Sequence, residues 1–200
     1  MSDKPSDTSN QPQINFLNIE NDRIKALFRT ICDRYRFPRK VKIILKGTQL
    51  KGSTMQAQPV FQFSSLFGGI DTYRIRLAEF VRDSQELRVE ELSDEILIGW
   101  LAHELGHVID YMERSFFEMI VYGIRYYFSA RYQRKVEHRA DEIAMNQGFY
   151  KEILKTKEFL FNHELINEKY RKKIQKYYMS IEDTRLFIEK EIFLDRVDQS

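Results

Sequence analysis

The amino-acid sequence predicts an α+β fold, a small antiparallel sheet packed on a helical bundle. Three observations carry this expectation. Two-residue alternation of apolar and polar side chains is confined to residues 41–77. From residue 93 onward, apolar residues recur at helical spacing almost to the C-terminus. Eight Gly and four Pro in 200 residues are few, as suits a helix-rich chain.

The bulk numbers bound the rest. A chain of 200 residues, 42% hydrophobic and 31% charged, suits one globular domain with a substantial core. A net charge of +2 is too mild to argue for nucleic acid, and none is expected as a partner. Cys32 is the only cysteine, so no intramolecular disulfide can form and nothing points to an oxidising compartment. Residues 1–13, MSDKPSDTSNQPQ, are polar and read as a disordered tail without the apolar region of a secretory signal. The expectation is a cytoplasmic protein with no transmembrane segment. Residues 14–200 form its single domain: a helix-and-sheet part over 14–92, a helical pair over 93–148 and C-terminal helices over 149–200.

Each element follows from a local pattern. Ile24, Leu27, Phe28, Ile31 and Tyr35 predict a helix from Asn18 to about Tyr35, stopped by Phe37-Pro38. Val41, Ile43 and Leu45 predict a strand closed by Gly47. Over residues 54–63, Met55, Ala57, Pro59, Phe61 and Phe63 alternate with polar neighbours. Pro59 lacks a ladder donor, which places this strand at an edge or a bulge. After Gly68-Gly69, Tyr73, Ile75 and Leu77 alternate with Thr72, Arg74 and Arg76, so the two segments make a hairpin.

A helix follows from about Ser93 to Arg114. Ser93 can cap it, Asp94 and Glu95 suit its positive end, and Leu92 with Leu97 fits a hydrophobic staple. Leu97, Leu101, Leu105, Val108 and Met112 form its apolar stripe, from which His103 and His107 are displaced. Residues 115–128, SFFEMIVYGIRYYF, are apolar on nearly every side but too short to span a bilayer, which takes about 20 apolar residues. A buried helix, the wall of an apolar groove and a helix on a membrane surface all fit them. Membrane contact is the least favoured. The expectation is burial against the C-terminal helices, with one edge lining an apolar subsite. A further helix over about 131–147 turns Val136, Ala140, Ile143 and Ala144 inward, with Gly148 at its C-terminal cap. Residues 151–161, 164–179 and 181–197 give three more amphipathic helices. The middle one carries a basic face of Lys169, Arg171, Lys172, Lys173 and Lys176, of the kind that is usually solvated.

The chemistry concentrates in His103-Glu104-Leu105-Gly106-His107. Histidines four residues apart lie on one helical face, one turn above the other, so both can reach a single metal ion with Glu104 beside them. Glu137, in Glu137-His138-Arg139-Ala140-Asp141, can supply the third ligand that catalytic zinc sites use. Asp141, one turn on, can accept a hydrogen bond from the free nitrogen of a ligand histidine. Ala140 is small enough to let two helices approach closely.

These motifs, HELGHVID and EHRADEIA, resemble the gluzincin metallopeptidases, and most nearly the branch of CAAX-prenyl proteases, membrane heat-shock proteases and their small soluble relatives. The likeness spans roughly residues 70–148. It implies a zincin-like fold and a zinc-dependent peptidase acting on a peptide or protein substrate, with Zn²⁺ as cofactor. His103, His107 and Glu137 would be the zinc ligands and Glu104 the general base and acid. Asp141 would orient a ligand histidine. It also implies that residues 72–78 border the cleft and pair with extended substrate; the residues themselves fit core cover equally well. His163, Arg139 and the tyrosines are candidates to stabilise an oxyanion. Two other readings stay open: a zinc-holding regulatory or sensor module with little general proteolysis, and a helical interaction protein in which the motif is fortuitous.

Overall fold

The computed structural model describes residues 10–197 except 51, 64, 66–68 and 85. Its elements are β1 (Gln13–Leu17), α1 (Asp22–Arg34), β2 (Lys42–Gly47), β3 (Met55–Pro59), β4 (Thr72–Leu77), α2 (Asp94–Met112), α3 (Phe116–Phe128), α4 (Ala130–Ala144), α5 (Tyr150–Asn162), α6 (Glu168–Tyr177) and α7 (Ile181–Val197). The expected tail lies outside the described residues over 1–9, and so does Gly68 of the expected Gly68-Gly69 turn.

The fold is α+β, but its sheet is mixed rather than antiparallel. Strand order is β1-β2-β4-β3, with β1–β2 and β2–β4 parallel and only β3–β4 antiparallel. The difference starts with β1, in which only Ile14 and Phe16 alternate and Leu17 breaks the pattern. Helix α1 carries the chain back between β1 and β2, and such a crossover returns a strand in the same direction. The expected hairpin is present as β3–β4, with Ala57 opposite Ile75. Strand β3 is an edge strand, as Pro59 requires.

The centre of the molecule is α2. It packs against α5, α4, β3 and α1. Such a helix has no solvent face, so the expected stripe of Leu97, Leu101 and Leu105 does not separate core from exterior. His103, Glu104, His107 and Asp110 are as buried as the leucines. Two glycines permit this enclosure. A Cβ on Gly99 would lie 2.2 Å from the Glu152 carbonyl oxygen of α5, and one on Gly106 would lie 2.3 Å from that of Ala140 on α4.

Ser93 occupies the N-cap position of α2, but its hydroxyl makes no capping bond. Arg23 of α1 secures that end instead, bonding Asp94 Oδ1 at 2.6 Å and the carbonyls of Glu90 and Leu92. Helix α3 opens with a capping box between Ser115 and Glu118. Gly148 has φ 88°, a left-handed conformation that suits glycine where the chain leaves α4 for α5.

The expectation for residues 115–128 fails in its larger part. Only Met119 and Tyr122 of α3 are buried, whereas Phe117, Ile120, Val121, Ile124, Tyr127 and Phe128 are exposed. The reason is topological. Helices α6 and α7 pack on α4 and α5, leaving α3 to pack mainly on α4. Its inner edge does line the cleft described below, through Met119, Tyr122, Gly123 and Tyr126. No helix among the described residues is long and apolar enough to cross a membrane.

Candidate metal centre

Helix α2 supplies His103, Glu104 and His107, and α4 supplies Glu137 and Asp141. The backbone contact of Gly106 with Ala140 brings the two helices close enough for these side chains to meet. His103 Nε2 lies 3.2 Å from Glu137 Oε2, and His107 Nε2 lies 3.4 Å from the same oxygen. The imidazoles stand edge to face with centroids 4.7 Å apart. One ligand atom from each of the three residues lies within 4.8 Å of the others. The group predicted from the motifs is therefore brought together.

These residues fit a metal ion. His103 Nδ1 is 2.8 Å from Asp141 Oδ1. A carboxylate only accepts, so Nδ1 carries the proton and the Nε2 lone pair faces Glu137. A lone pair and an acceptor-only oxygen at 3.2 Å repel unless positive charge lies between them. Ligands of a tetrahedral zinc at bond lengths of about 2.0–2.1 Å stand about 3.3 Å apart, close to these separations. Two imidazoles and a carboxylate are also a donor set that suits zinc.

The electrostatics agree. Burial pulls the His103 imidazole down, but Asp141 and Glu137 outweigh it and push its pKa up to about 10. Burial pushes Glu137 up, yet His107 and His103 hold it well below the usual carboxylate range. The charge balance of these groups favours a positive charge between them.

Several supporting residues were not identified from the motifs. Lys157 of α5 is 3% exposed and places Nζ 2.5 Å from Asp141 Oδ2. It also lies 4.8 Å from the ring centroid of Tyr178, which packs 5.5 Å from the His103 ring. Burial pushes the Asp141 carboxyl up, but Lys157 and then His103 bring it below its ordinary value. A signal for Lys157 exists in the sequence. It falls among Ile153, Thr156 and Leu160 on the inward face of α5, where a cation implies a buried partner. Tyr126 donates its hydroxyl to Glu137 Oε1 at 2.5 Å and receives Gln133 Nε2 at 3.3 Å. Both tyrosine contacts depend on tertiary packing and have no local signature.

His107 and Glu137, with Glu104, line a cleft of about 530 Å³. Its border is β3, not residues 72–78, because β4 is paired on both sides and has no free edge. Ala57 turns its backbone away from β4: its N–H donates to Glu104 Oε2 at 2.5 Å and its carbonyl accepts from Tyr111 Oη at 3.4 Å. Burial pushes the Glu104 carboxyl up, with His107 and His103 opposing.

Among the proposed oxyanion donors, His163 caps the end of α5, where its Nδ1 accepts from the Leu165 N–H, and it is not among the cleft residues. Arg139 is bound to Asp110 and Glu113, also away from the cleft. Tyr111, Tyr122, Tyr126 and Tyr178 all line the cleft. Lys173, from the predicted basic face, lines it too and donates to the Gly52 carbonyl at 3.3 Å. Compared with known proteins, the chain matches no family model, no curated protein and no solved structure.

Proposed function

We propose that this chain is a zinc-dependent peptidase of the zincin type. The observation that carries the proposal is the convergence of His103 Nε2, His107 Nε2 and Glu137 Oε2 at the wall of a cleft lined by His107, Glu137, Glu104 and the edge strand β3. His103, His107 and Glu137 would hold the ion, and Asp141 with Lys157 would fix the His103 ring. A zinc ion held there supplies Lewis acidity, lowering the pKa of water and polarising a carbonyl.

The chain's own groups do the rest. Glu104, raised toward neutrality by burial, accepts a proton from the attacking water and passes it to the leaving amine. Pairing of an extended peptide with the outward backbone of β3, which would release the Ala57 N–H and carbonyl from Glu104 and Tyr111, gives sequence-tolerant affinity. Tyr122 and Tyr178 both line the cleft with hydroxyls that bond no described residue, and Tyr178, whose ring packs against His103, is the one assigned to the oxyanion.

A second reading is favoured by one contact, the Glu104–Ala57 bond, which occupies the base. On that reading the chain is a zinc-holding regulatory module with little general proteolysis. A broad peptide library separates the two. The peptidase reading expects cleavage by the parent, and about 10²- to 10⁴-fold less by Glu104→Gln with zinc content unchanged. Absence of cleavage by the zinc-loaded parent would favour the regulatory module.

A further inference from the structure

We propose that the outer face of α3 docks on the surface of an anionic lipid bilayer. Phe117, Ile120, Val121, Ile124, Tyr127 and Phe128 are 44–82% exposed. Their spacing places them on one side of the helix, while Met119 and Tyr122 anchor the other side to the domain. Phe117, Tyr127 and Phe128, each with about 150–250 Å² of side-chain surface and 67–82% exposed, together with half-exposed Ile120, Val121 and Ile124, form a patch at or above the largest that an ordinary monomer shows to water. Phe61, 51% exposed, packs edge-on to Phe116 at 5.3 Å and extends the surface from a second segment of chain.

The charges at its margin identify what covers it. Residues 114–135 contain five basic side chains and one acidic. The acidic one, Glu118, is committed to the Ser115 capping box. Arg114 is bound to Asp110, and Arg134 to the Lys176 carbonyl. Arg125, Arg131 and Lys135 are exposed and make no ion pair with a described residue. An apolar stripe flanked by Arg125, with exposed Arg131 and Lys135 in the helix that follows and one carboxylate, Glu118, against them, carries a net positive charge that complements an anionic bilayer: the rings enter the acyl boundary while the cations meet headgroups. Two copies laid face to face would bring these cations together, which like-charge repulsion opposes. Helix α3 has 13 residues, about 20 Å of helix, enough to lie in the interface and too short to span it. Because its inner edge lines the cleft, docking sets the cleft beside the bilayer. The inference stands on the surface alone and does not need the peptidase reading.

The test uses the full zinc-loaded chain, vesicles of phosphatidylcholine alone, and vesicles that also contain phosphatidylserine. Co-sedimentation is expected with the second and weak with the first. Arg125→Gln and Arg131→Gln should each lower the partition coefficient about 5-fold. Val121→Glu with Ile124→Glu should abolish binding while circular dichroism and zinc content match the parent, since both positions face solvent. Phe128→Trp supplies a signal independent of that pair: its emission should shift to the blue on adding phosphatidylserine vesicles. No sedimentation and no shift would overturn the proposal, as would equal binding to neutral vesicles. Self-association of the parent that the double variant abolishes would also overturn it, assigning the face to a second copy.

Discussion

Lys157→Met removes a buried ammonium while keeping most of the side chain's volume. It strands the Asp141 carboxylate, 1% exposed, with His103 Nδ1 as its remaining partner. Breaking a buried ion pair by deleting one member costs about 3–5 kcal/mol, because the other charge stays desolvated. At about 2–4 °C per kcal/mol for a chain of this length, the melting temperature should fall by roughly 6–20 °C. Thermal unfolding followed by circular dichroism, with chelator present to remove metal linkage, measures the effect.

The pH dependence has a definite sign. In the parent, Asp141 lies below its ordinary value, so its contribution is present above about pH 3.9 and is lost on acidification. Without Lys157, burial is opposed chiefly by His103, so the carboxyl rises from its position in the parent and protonation relieves the variant as pH falls. The gap between parent and variant should therefore narrow toward pH 4. Adding Asp141→Asn removes the stranded charge and should recover about 2 kcal/mol. A loss under about 1 kcal/mol for Lys157→Met, or no recovery in the double variant, would refute the claim that this pair braces the site.

Two further outcomes follow from the packing and the charges. Gly106→Ala places a methyl group 2.3 Å from the Ala140 carbonyl oxygen, forcing α2 from α4. It should cost about 1–3 kcal/mol by urea unfolding and weaken zinc binding, whereas unchanged values would show that the close approach is dispensable. In the zinc-free chain, the folded-state pKa of His103 is raised to about 10, so its contribution is present below about pH 6.5 and is lost as pH rises through 10. Denaturation midpoints of the zinc-free protein should fall over that interval, and a rise there would contradict the assigned partners.

The candidate metal group is legible because its chemistry is local. His103 and His107 are one helical turn apart, and Glu137 and Asp141 repeat that spacing on a second helix. What lay outside sequence reasoning was set by tertiary contacts. Lys157 and Tyr126 reach the site from α5 and α3, and no spacing rule links them to Glu137 or Asp141. The hairpin was readable from alternation, but β1 offers a single alternating pair, Ile14 and Phe16, and gains its place by pairing with β2. That pairing makes the sheet mixed. The segment 115–128 shows a different limit. Its apolar content was legible, yet which surface covers it depends on where α6 and α7 pack, and they pack elsewhere. Of the two readings open for residues 72–78, the structure favours core cover for a similar reason, since sheet order, not sequence order, leaves β3 at the edge.

Metal content by mass spectrometry, on the purified chain after equilibration with zinc and removal of excess, tests the central claim most directly. The account predicts about one zinc ion per parent chain, with strong loss in both His103→Ala and Glu137→Ala, since a site cut from three ligands to two loses much of its affinity. No bound zinc in the parent, or full retention in both variants, would contradict it and leave His103, His107 and Glu137 as a buried polar cluster of the core.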